Sequence, residues 1–361
     1  MNWEQLDWSA LDRLRAGFLS GSAAAGPYWT TPVDLASYDL TYAERIGWKW
    51  DALLRELRLR AWRPPAGSTV IDWGCGSGVA GRRVTAAFGA DHFAALRVWD
   101  HSAHARDFAV HRARETFPAL AVTAAASAPT PDSLPAAYTL VISHVFNELD
   151  ATRRAELLVL VAGAAAVLWI EPGTHADSRL LATVRDQVRA THHIVAPCTH
   201  REKCPLFLAA HERDWCHFFA PAPAGIQNDS NWVRFSHRAG LDLRSQAYSC
   251  LVLASPPGSA PRLLPPPASE AAAKCHPLGD TLPAARVLGR VEVFKPYARF
   301  LACGATGLHW LELTKRTDPG LIKRLEKAPP VPLYAIAHDG QRVTAMRPLV
   351  EEPAPPASPA E

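Results

Sequence analysis

The sequence of 361 residues lacks a long uninterrupted apolar run, carries a net charge of only +3 and contains only seven cysteines. Its first segment, MNWEQLDWSALDRLRAGFLSGSAAAG, breaks a short apolar run with acids and arginines. Neither a secretory signal nor a membrane span is therefore expected, and we predict a cytoplasmic, monomeric protein outside the membrane. Because reducing conditions there disfavour structural disulfides, clustered cysteines point to metal binding or catalysis.

The net charge of the whole chain is weak evidence about its partners, but the distribution of charge in the C-terminal part is more informative. From Arg286 to Arg347, eleven Lys and Arg stand against five Asp and Glu, a net charge of +6. Such an excess suits a surface that meets the phosphates of a nucleic acid, although a solvated face explains it equally well.

The pattern of apolar residues predicts an α/β protein with a parallel, Rossmann-like sheet. Residues 1–66 place apolar residues at three- and four-residue steps and are expected to be helical. Residues 67–253 contain the short apolar runs TVIDWG, ALRVWD, YTLVISHV and AAVLWIEPG, which predict parallel strands joined by crossovers. A Pro-rich linker is expected at 254–285, a small basic antiparallel β domain at 286–350 and a disordered tail at 351–361.

A glycine-rich loop, VIDWGCGSGVAG, follows a predicted strand and opens a predicted helix. GSGVAG fits a dinucleotide-binding loop, whereas DWGCGSG fits the D-x-G-x-G-x-G of class I S-adenosylmethionine methyltransferases. The second is favoured because Asp72 at the end of its strand can reach the cationic methionine part. Asp100 ends the next strand, where a carboxylate binds ribose hydroxyls. We predict an S-adenosylmethionine site built from Asp72, Gly74, Gly76, Gly78 and Asp100.

Whether methyl transfer occurs is less evident from the residues. Amino-group methylation usually relies on an Asn/Asp-Pro-Pro-aromatic tetrapeptide after the fourth strand, and VISHVFNELD does not contain it. His144 or Glu148 could serve as a base there. The same residues are explained more simply by a segment that only lines the cofactor pocket. No catalytic residue is therefore assigned.

The segment at 196–219, APCTHREKCPLFLAAHERDWCHFF, contains Cys198, Cys204 and Cys216. Pro197 and Cys198 resemble the Pro-Cys of cytosine carbon-5 methyltransferases, whose thiolate attacks the ring. The position argues against that role, because the segment lies beyond the strands that carry such a nucleophile, and three cysteines are not needed for it. A metal site explains all three.

The type of metal stays open on spacing alone. C-x5-C-x11-C is looser than most structural zinc sites, whereas an iron-sulfur cluster accepts irregular spacing but needs a fourth cysteine. Three cysteines are candidates for the fourth ligand. Cys250 reads as a buried strand residue, Cys275 adjoins the Pro-rich segment, and Cys303 ends a β-rich run at a Gly turn, where a side chain can point out at a ligand. Zinc stays equally open because three histidines lie in the same segment: His200, His211 and His217.

Together IDWGCGSG, VFNELD, WIEPGT, VAPCTHREKCPL and DWCHFF resemble the methyltransferase-like family that assembles the small ribosomal subunit, known from mitochondria and with bacterial relatives. The resemblance runs from Tyr28 to Lys315. It implies a class I methyltransferase fold, a 4Fe-4S cluster held by four cysteines, and association with the small subunit near its rRNA. Matching positions imply the ligands Cys198, Cys204, Cys216 and Cys303, although LACGATG departs from the family's acidic run around the last.

The resemblance further implies an assembly factor more than an enzyme, in agreement with the missing acceptor tetrapeptide. We therefore expect a protein that binds S-adenosylmethionine and a 4Fe-4S cluster and contacts the rRNA of the small subunit. Two alternatives are an active rRNA methyltransferase, in which the cluster only supports the fold, and a zinc-bound methyltransferase for a small molecule or a protein.

Overall fold

The computed structural model describes residues 2–20, 29, 31–255, 282–326 and 331–350. The tail at 351–361, most of the linker at 254–285 and Cys275 lie outside these ranges. Within them, no helix is long and apolar enough to cross a membrane.

The N-terminal part is helical, as its three- and four-residue apolar spacing predicts. It comprises α1 (Trp8–Ser20), α2 (Pro32–Tyr38), a π-helical turn (Asp39–Ala43) and α3 (Glu44–Leu59). Thr31 begins α2 because its hydroxyl accepts the Asp34 N–H at 3.2 Å. The long helix α3 buries one face, which includes Trp50, Leu53 and Leu57, against the sheet that follows.

The central sheet has the strand order β3-β2-β1-β4-β5-β8-β6, with β7 paired to β8. Strands β1 to β5 are parallel, whereas β8 runs antiparallel to both β5 and β6. An antiparallel strand inserted beside the fifth parallel strand defines the class I methyltransferase fold. The strands are β1 (Thr69–Trp73), β2 (Ala95–Trp99), β3 (Val122–Ala124), β4 (Tyr138–Ser143), β5 (Ala166–Pro172), β6 (His193–Ala196), β7 (Phe218–Pro221) and β8 (Ser245–Ala254).

Helices cover both faces of this sheet, which explains why its central strands are apolar throughout. On β1, Val70 packs into the core formed with α3, α4 and α5, and the next residue, Ile71, packs into the core formed with α6 and α7. The crossover and C-terminal helices of the domain are α4 (Val79–Phe88), α5 (Ala103–Thr116), α6 (Ala151–Gly163), α7 (His175–Val188) and α8 (Ser230–Ala239).

The C-terminal β region is a closed five-stranded barrel rather than the small antiparallel sheet expected from the sequence. Its order is β10-β11-β13-β12-β9, and β11 pairs in parallel with β13. The three β-rich runs seen in the sequence are its first three strands, and closure through two later strands leaves no exposed edge. The elements are β9 (Ala284–Val293), β10 (Tyr297–Gly304), β11 (Gly307–Thr314), α9 (Pro319–Glu326), β12 (Leu333–Asp339) and β13 (Arg342–Pro348).

A buried ionic triad joins the barrel to the N-terminal helices. Arg286 of β9 donates two hydrogen bonds to the Glu56 carboxylate of α3, at 2.7 and 2.8 Å, and Arg60 donates a third at 3.0 Å. All three residues are at most 4% exposed. Burial alone would raise the pKa of Glu56, but the two guanidinium groups outweigh it and lower that pKa.

We expect Glu56→Ala to lower the free energy of unfolding by about 3 to 5 kcal/mol, because it leaves two buried guanidinium groups without their anion. Urea denaturation measures the change. Asp51→Ala is the matched control on the same helix, since Asp51 is about half exposed and pairs with Arg83 at 3.3 Å. It should cost less than about 1 kcal/mol. Equal unfolding midpoints for the two variants would contradict the role of the triad.

Candidate functional site

The glycine loop lies at the carboxyl edge of the sheet, between β1 and α4. Gly74, Gly76 and Gly78 all have positive φ, a conformation that glycine adopts without strain. Asp100, just after β2, fixes the loop: one carboxylate oxygen accepts the Gly76 N–H at 3.0 Å and the other accepts the Ser102 N–H at 2.9 Å. The structure thus brings the predicted cofactor residues of two strands together.

Asp72 is a buried carboxylate without a cationic partner in contact. It is 1% exposed, and its Oδ2 accepts the Gly81 N–H at 2.9 Å. Its Oδ1 has no hydrogen-bond partner among the described residues. Burial raises the pKa of Asp72 to about 7, against the opposing effects of Gly81 and Arg82. A Cβ at Gly81 would lie 2.6 Å from Oδ2, so only glycine lets α4 approach so closely.

A cavity of about 520 Å³ opens beside the loop, a volume typical of small-molecule sites. Gly74 and Gly76 line it, whereas Asp72, Gly78 and Asp100 lie behind its walls. Sequence reasoning missed the residues contributed by the N-terminal helices, because no local motif marks them. These lining residues include Trp29, Tyr38, Tyr42, Arg45 and Lys49.

Lys49 and His144 meet on the wall of this cavity. Lys49 Nζ lies 3.3 Å from His144 Nε2. His144 has φ 56°, a left-handed backbone that a residue other than glycine adopts at a cost of about 1 to 3 kcal/mol. Burial lowers the pKa of Lys49 to about 7 and lowers that of His144 as well. Lys49 can therefore gain or lose its proton near neutral pH, beside an imidazole that is uncharged there.

Two acidic residues lie near the pocket, one on its wall and one buried behind it. Glu148 lines the cavity, and burial together with the Asp100 charge raises its pKa to about 7. Glu171 is buried, and its Oε1 accepts the Trp169 indole N–H at 2.7 Å and the Phe146 N–H at 3.1 Å. Glu171 thereby holds the segment after β4 against β5, which positions His144 at the cavity.

The residues at this pocket fit S-adenosylmethionine. Asp72 Oδ1 has no hydrogen-bond partner among the described residues, and burial raises the pKa of this carboxyl. A positive charge nearby would stabilise its ionised form, and the methionine part of S-adenosylmethionine is cationic. Near Gly76, a Cβ would meet nothing closer than Trp29 at 3.9 Å, so the loop backbone is open to the cavity there.

A second and larger groove, of about 850 Å³, lies between α3 and α4. It contains none of the residues predicted for the cofactor or the metal. Its walls include Arg55, Arg58, Arg63 and Arg83, of which Arg83 pairs with Glu44 at 2.6 Å. The chemistry of this groove is that of a charged surface and not of an enclosed site.

The cysteine segment is held in place by two neighbouring residues of α7. Arg185 is 3% exposed and donates to Cys198 Sγ at 3.3 Å, to the His200 carbonyl at 2.8 Å and to the Glu202 carbonyl. Asp186 accepts the Cys204 N–H at 3.0 and 3.1 Å. These bonds replace regular secondary structure, which the segment lacks between β6 and the turn at Pro205–Phe207.

The cysteines of the segment converge on one place. Cys198, Cys204 and Cys216 line a small cavity of about 30 Å³ together with the buried strand residue Cys250. Cys303, the penultimate residue of β10, has its Sγ 3.6 Å from His200 Nε2. The barrel thus brings Cys303, the fourth cysteine predicted from the sequence, next to the cysteine segment.

Burial governs the charge of these thiols. It raises the pKa of Cys204 to about 11, and it raises the pKa of Cys216 and that of Cys303 well above the ordinary value of a thiol. Nearby sulfur atoms, including that of Cys198, add to the rise at all three. Such thiols stay neutral unless a cation compensates the thiolates, which is what a bound metal provides.

The donor chemistry therefore fits a thiolate-bound metal, but the side chains are not gathered into a finished site. In the part of the chain that the structure describes, no three His, Cys, Asp or Glu side chains are arranged so that they could hold a metal ion. His200 and Cys303 are close enough to share one ion, but no third donor joins them among those residues. His211 hydrogen-bonds Asp214 at 2.9 Å, and His217 stacks on Trp215.

The strand order and the glycine loop define a protein with a class I methyltransferase fold. The chain belongs to the family described as mitochondrial small ribosomal subunit Rsm22. The profile of that family matches residues 41–266, which are more than half of this chain. No curated protein matches the sequence.

Solved structures similar to this chain are distant methyltransferases. The N-methyltransferase NodS from Bradyrhizobium japonicum is 14% identical, with 61% of this chain and 91% of that chain covered and a TM-score of 0.37. Magnesium protoporphyrin IX methyltransferase from Synechocystis is 12% identical, with 70% and 94% covered and a TM-score of 0.36. An rRNA methylase from Escherichia coli is 12% identical, with 69% and 76% covered and a TM-score of 0.36. The fold assignment rests on the strand order and not on these likenesses.

We expect Asp72→Asn to flatten the pH dependence of stability. The pKa of Asp72 is about 7 in the folded protein, whereas an aspartate in water has a pKa of 3.8, so the folded state binds more protons between these values. Stability is therefore full near pH 4 and is lost as pH rises through 7. The fall in free energy of unfolding from about pH 5 to pH 8 should be smaller in the variant, as measured by urea denaturation.

The matched control is Asp132→Asn, since Asp132 is an exposed aspartate on a surface turn. It should retain the pH dependence of the wild type. If Asp72→Asn shows the same pH dependence of stability as the wild type, then ionisation of the buried Asp72 carboxyl does not lower the free energy of unfolding at neutral pH.

Proposed function

We propose that this protein is an assembly factor of the small ribosomal subunit that binds S-adenosylmethionine and a 4Fe-4S cluster and contacts rRNA. Membership of the Rsm22 family is the observation that carries the proposal, because the family is described as part of the mitochondrial small subunit. The proposed boundaries are those expected from the sequence, with the core at 67–253 and the β domain at 286–350. Cytoplasmic location and a monomeric state remain predictions.

The proposed cofactor role follows from the charges at the glycine loop. Asp72 would compensate the cationic methionine part from behind the cavity wall, and Asp100 would bind the ribose hydroxyls. The loop backbone at Gly74 and Gly76 would lie against the cofactor, while Gly78, which faces Ala109 of α5, would hold the turn behind it. When bound, S-adenosylmethionine supplies an activated methyl group. Trp29 and Tyr38, whose rings lie 4.8 Å apart, would cover the pocket from the N-terminal helices and exclude water.

The proposed 4Fe-4S ligands are Cys198, Cys204, Cys216 and Cys303. The convergence of Cys198, Cys204 and Cys216 around one cavity supports them, together with the approach of Cys303 to His200 and the Arg185 contact that can stabilise a thiolate at Cys198. Zinc bound with His200 as a ligand is the alternative, because the 3.6 Å contact between His200 and Cys303 suits two donors to one ion.

An active rRNA methyltransferase is the second candidate function. The observation that favours it is the Lys49 and His144 pair, which offers a proton acceptor on the cavity wall at the place where strand β4 ends. Under this alternative, methyl transfer to assembling small subunits is abolished by Asp72→Ala. If wild-type protein transfers no methyl group to them, this candidate fails.

We expect protein purified without oxygen to be brown and to contain about four irons per chain, as a 4Fe-4S cluster requires. Cys303→Ser should lose most of the iron because it removes one ligand. Cys250→Ala is the matched control, since it removes a buried thiol at the same cavity that is not a proposed ligand. Iron and zinc are measured by elemental analysis of each variant.

His200→Ala separates the two metals. A cluster bound by four cysteines keeps its iron in this variant, whereas a zinc site that uses His200 loses its zinc. If wild-type protein contains zinc and no iron, or if Cys303→Ser retains its full iron content, the proposed cluster is wrong.

We expect the protein to sediment with immature small ribosomal subunits. The variant with all four proposed ligands changed to serine should sediment with them less, because Cys303 would no longer tie the barrel to the cysteine segment. Cys250→Ala again serves as the control. If the fourfold variant binds as well as wild type, the cluster does not organise the binding surface.

A further inference from the structure

The topology of the C-terminal barrel is that of an OB-fold. Its five strands pair in the order first, second, third, fifth, fourth and back to first, and α9 connects the third strand to the fourth. The third and fifth strands, β11 and β13, are parallel, as this topology requires. OB-folds bind oligonucleotides and oligosaccharides on the face of their second and third strands, flanked by the loops after the first and fourth. Fold alone assigns no ligand, so the side chains on that face must decide.

In this protein the corresponding face lies on β10 and β11, and the central sheet covers one half of it. Leu301 and Leu308 are buried in the same core as the central sheet, and Cys303 packs against that core. The other half begins at the turn Phe294–Pro296 and includes Tyr297 and Arg299. The open half is therefore a short platform at one end of the barrel.

Flat side chains form this platform. Phe294 is 42% exposed, and its ring lies 4.9 Å from that of Tyr297 at an interplanar angle of 30°. At the border with the covered half, the Arg299 guanidinium lies 4.7 Å from the centre of the Trp310 ring, which packs against the core of the central sheet. Aromatic rings and guanidinium planes are the surfaces on which unpaired bases stack.

Cationic side chains surround the platform at the same end of the barrel. The Lys315 N–H donates to the Pro296 carbonyl at 3.0 Å, and the Glu312 N–H donates to the Gln341 carbonyl at 2.7 Å, so the three connections meet there. They carry four exposed cations: Lys295, Lys315, Arg316 and Arg342.

Acidic side chains limit what this platform can bind. Glu292 and Glu312 pair across the strands with Arg299 and flank it on both sides. The centre of the platform, with one arginine against two glutamates, therefore carries a net charge of −1, and the cations lie at its rim. Such a surface suits stacked bases with phosphates at the edge, and it does not suit the continuous phosphate rows of a duplex.

We propose that this platform, Phe294, Tyr297 and the Arg299–Trp310 pair, is a binding site for single-stranded RNA. Unpaired bases stack on the rings, and Lys295, Lys315 and Arg316 meet the phosphates. This inference rests on the proposed function, since it specifies the part of the chain that contacts rRNA and the form of RNA that it contacts.

The test uses full-length protein and fluorescent RNA, either single-stranded oligouridine or a duplex of equal length. Phe294→Ala/Tyr297→Ala should bind the single strand at least about tenfold more weakly, because each stacked base is worth a factor of several. Val159→Ala, an exposed apolar residue on α6, is the control and should bind as wild type does. If the double variant binds the single strand as tightly as wild type, or if wild type prefers the duplex, the platform is not the site.

Salt dependence gives a second readout that misfolding does not imitate. Lys315→Ala/Arg316→Ala should reduce the slope of log affinity against log salt by about 1.4, which corresponds to two lost phosphate contacts on a single strand. Lys323→Ala, on the exposed side of α9, should leave the slope unchanged. An unchanged slope in the double variant would place the phosphates elsewhere.

Sedimentation with small subunits separates this inference from the proposed function. If wild type and Phe294→Ala/Tyr297→Ala sediment with immature subunits equally well, the subunit association stands and the platform proposal fails. If wild type binds single-stranded RNA through the platform but never sediments with subunits, the platform stands and the assembly function fails.

Discussion

The position of the barrel depends on a buried carboxylate, Glu56, held between Arg60 and Arg286. Three charged groups are buried together. Both carboxylate oxygens are hydrogen-bonded, whereas the Nε atoms of Arg60 and Arg286 have no hydrogen-bond partner among the described residues. The triad fixes the start of β9 against α3. From there the Gly289 N–H donates to the His217 carbonyl at 2.8 Å, and Cys303 reaches His200. The triad, these contacts and the packing of Leu301 and Leu308 into the core of the central sheet together place the barrel against the cysteine segment.

The candidate pocket has the opposite electrostatic character, because none of its buried charged groups forms an ion pair with another described residue. Burial raises the pKa of Asp72, Glu148 and Glu171 to about 7 and lowers that of Lys49 to the same value. Each group costs stability in its ionised form near neutral pH, and such cost is typical of sites that gain from a bound ligand. The triad stabilises the fold, whereas the ionised groups of the candidate pocket cost stability unless a bound ligand compensates their charge.

The features that could be predicted from the sequence are those determined by residues close together in the chain. The position of the glycine loop between a strand and a helix, the parallel strands and the helical N-terminal part are confirmed, because each depends on residues close together in the chain. The cofactor role of the loop stays a prediction. The closure of the barrel, the wall formed by Lys49 and the support of Cys198 by Arg185 could not be predicted. They depend on contacts between distant segments, such as Lys49 with His144, 95 positions apart, and no motif records such a pairing.

The two proposed sites of the barrel share one strand. Cys303 and Tyr297 both lie on β10 and point out of the barrel, six residues or roughly 20 Å apart. Cys303 is at the end covered by the central sheet, and Tyr297 is at the open end. If Cys303 binds the cluster, the cluster anchors the covered end of the strand on which RNA stacks at the other. Loss of the cluster would then weaken RNA binding without any contact between metal and RNA, because an unanchored strand no longer holds the platform in one orientation.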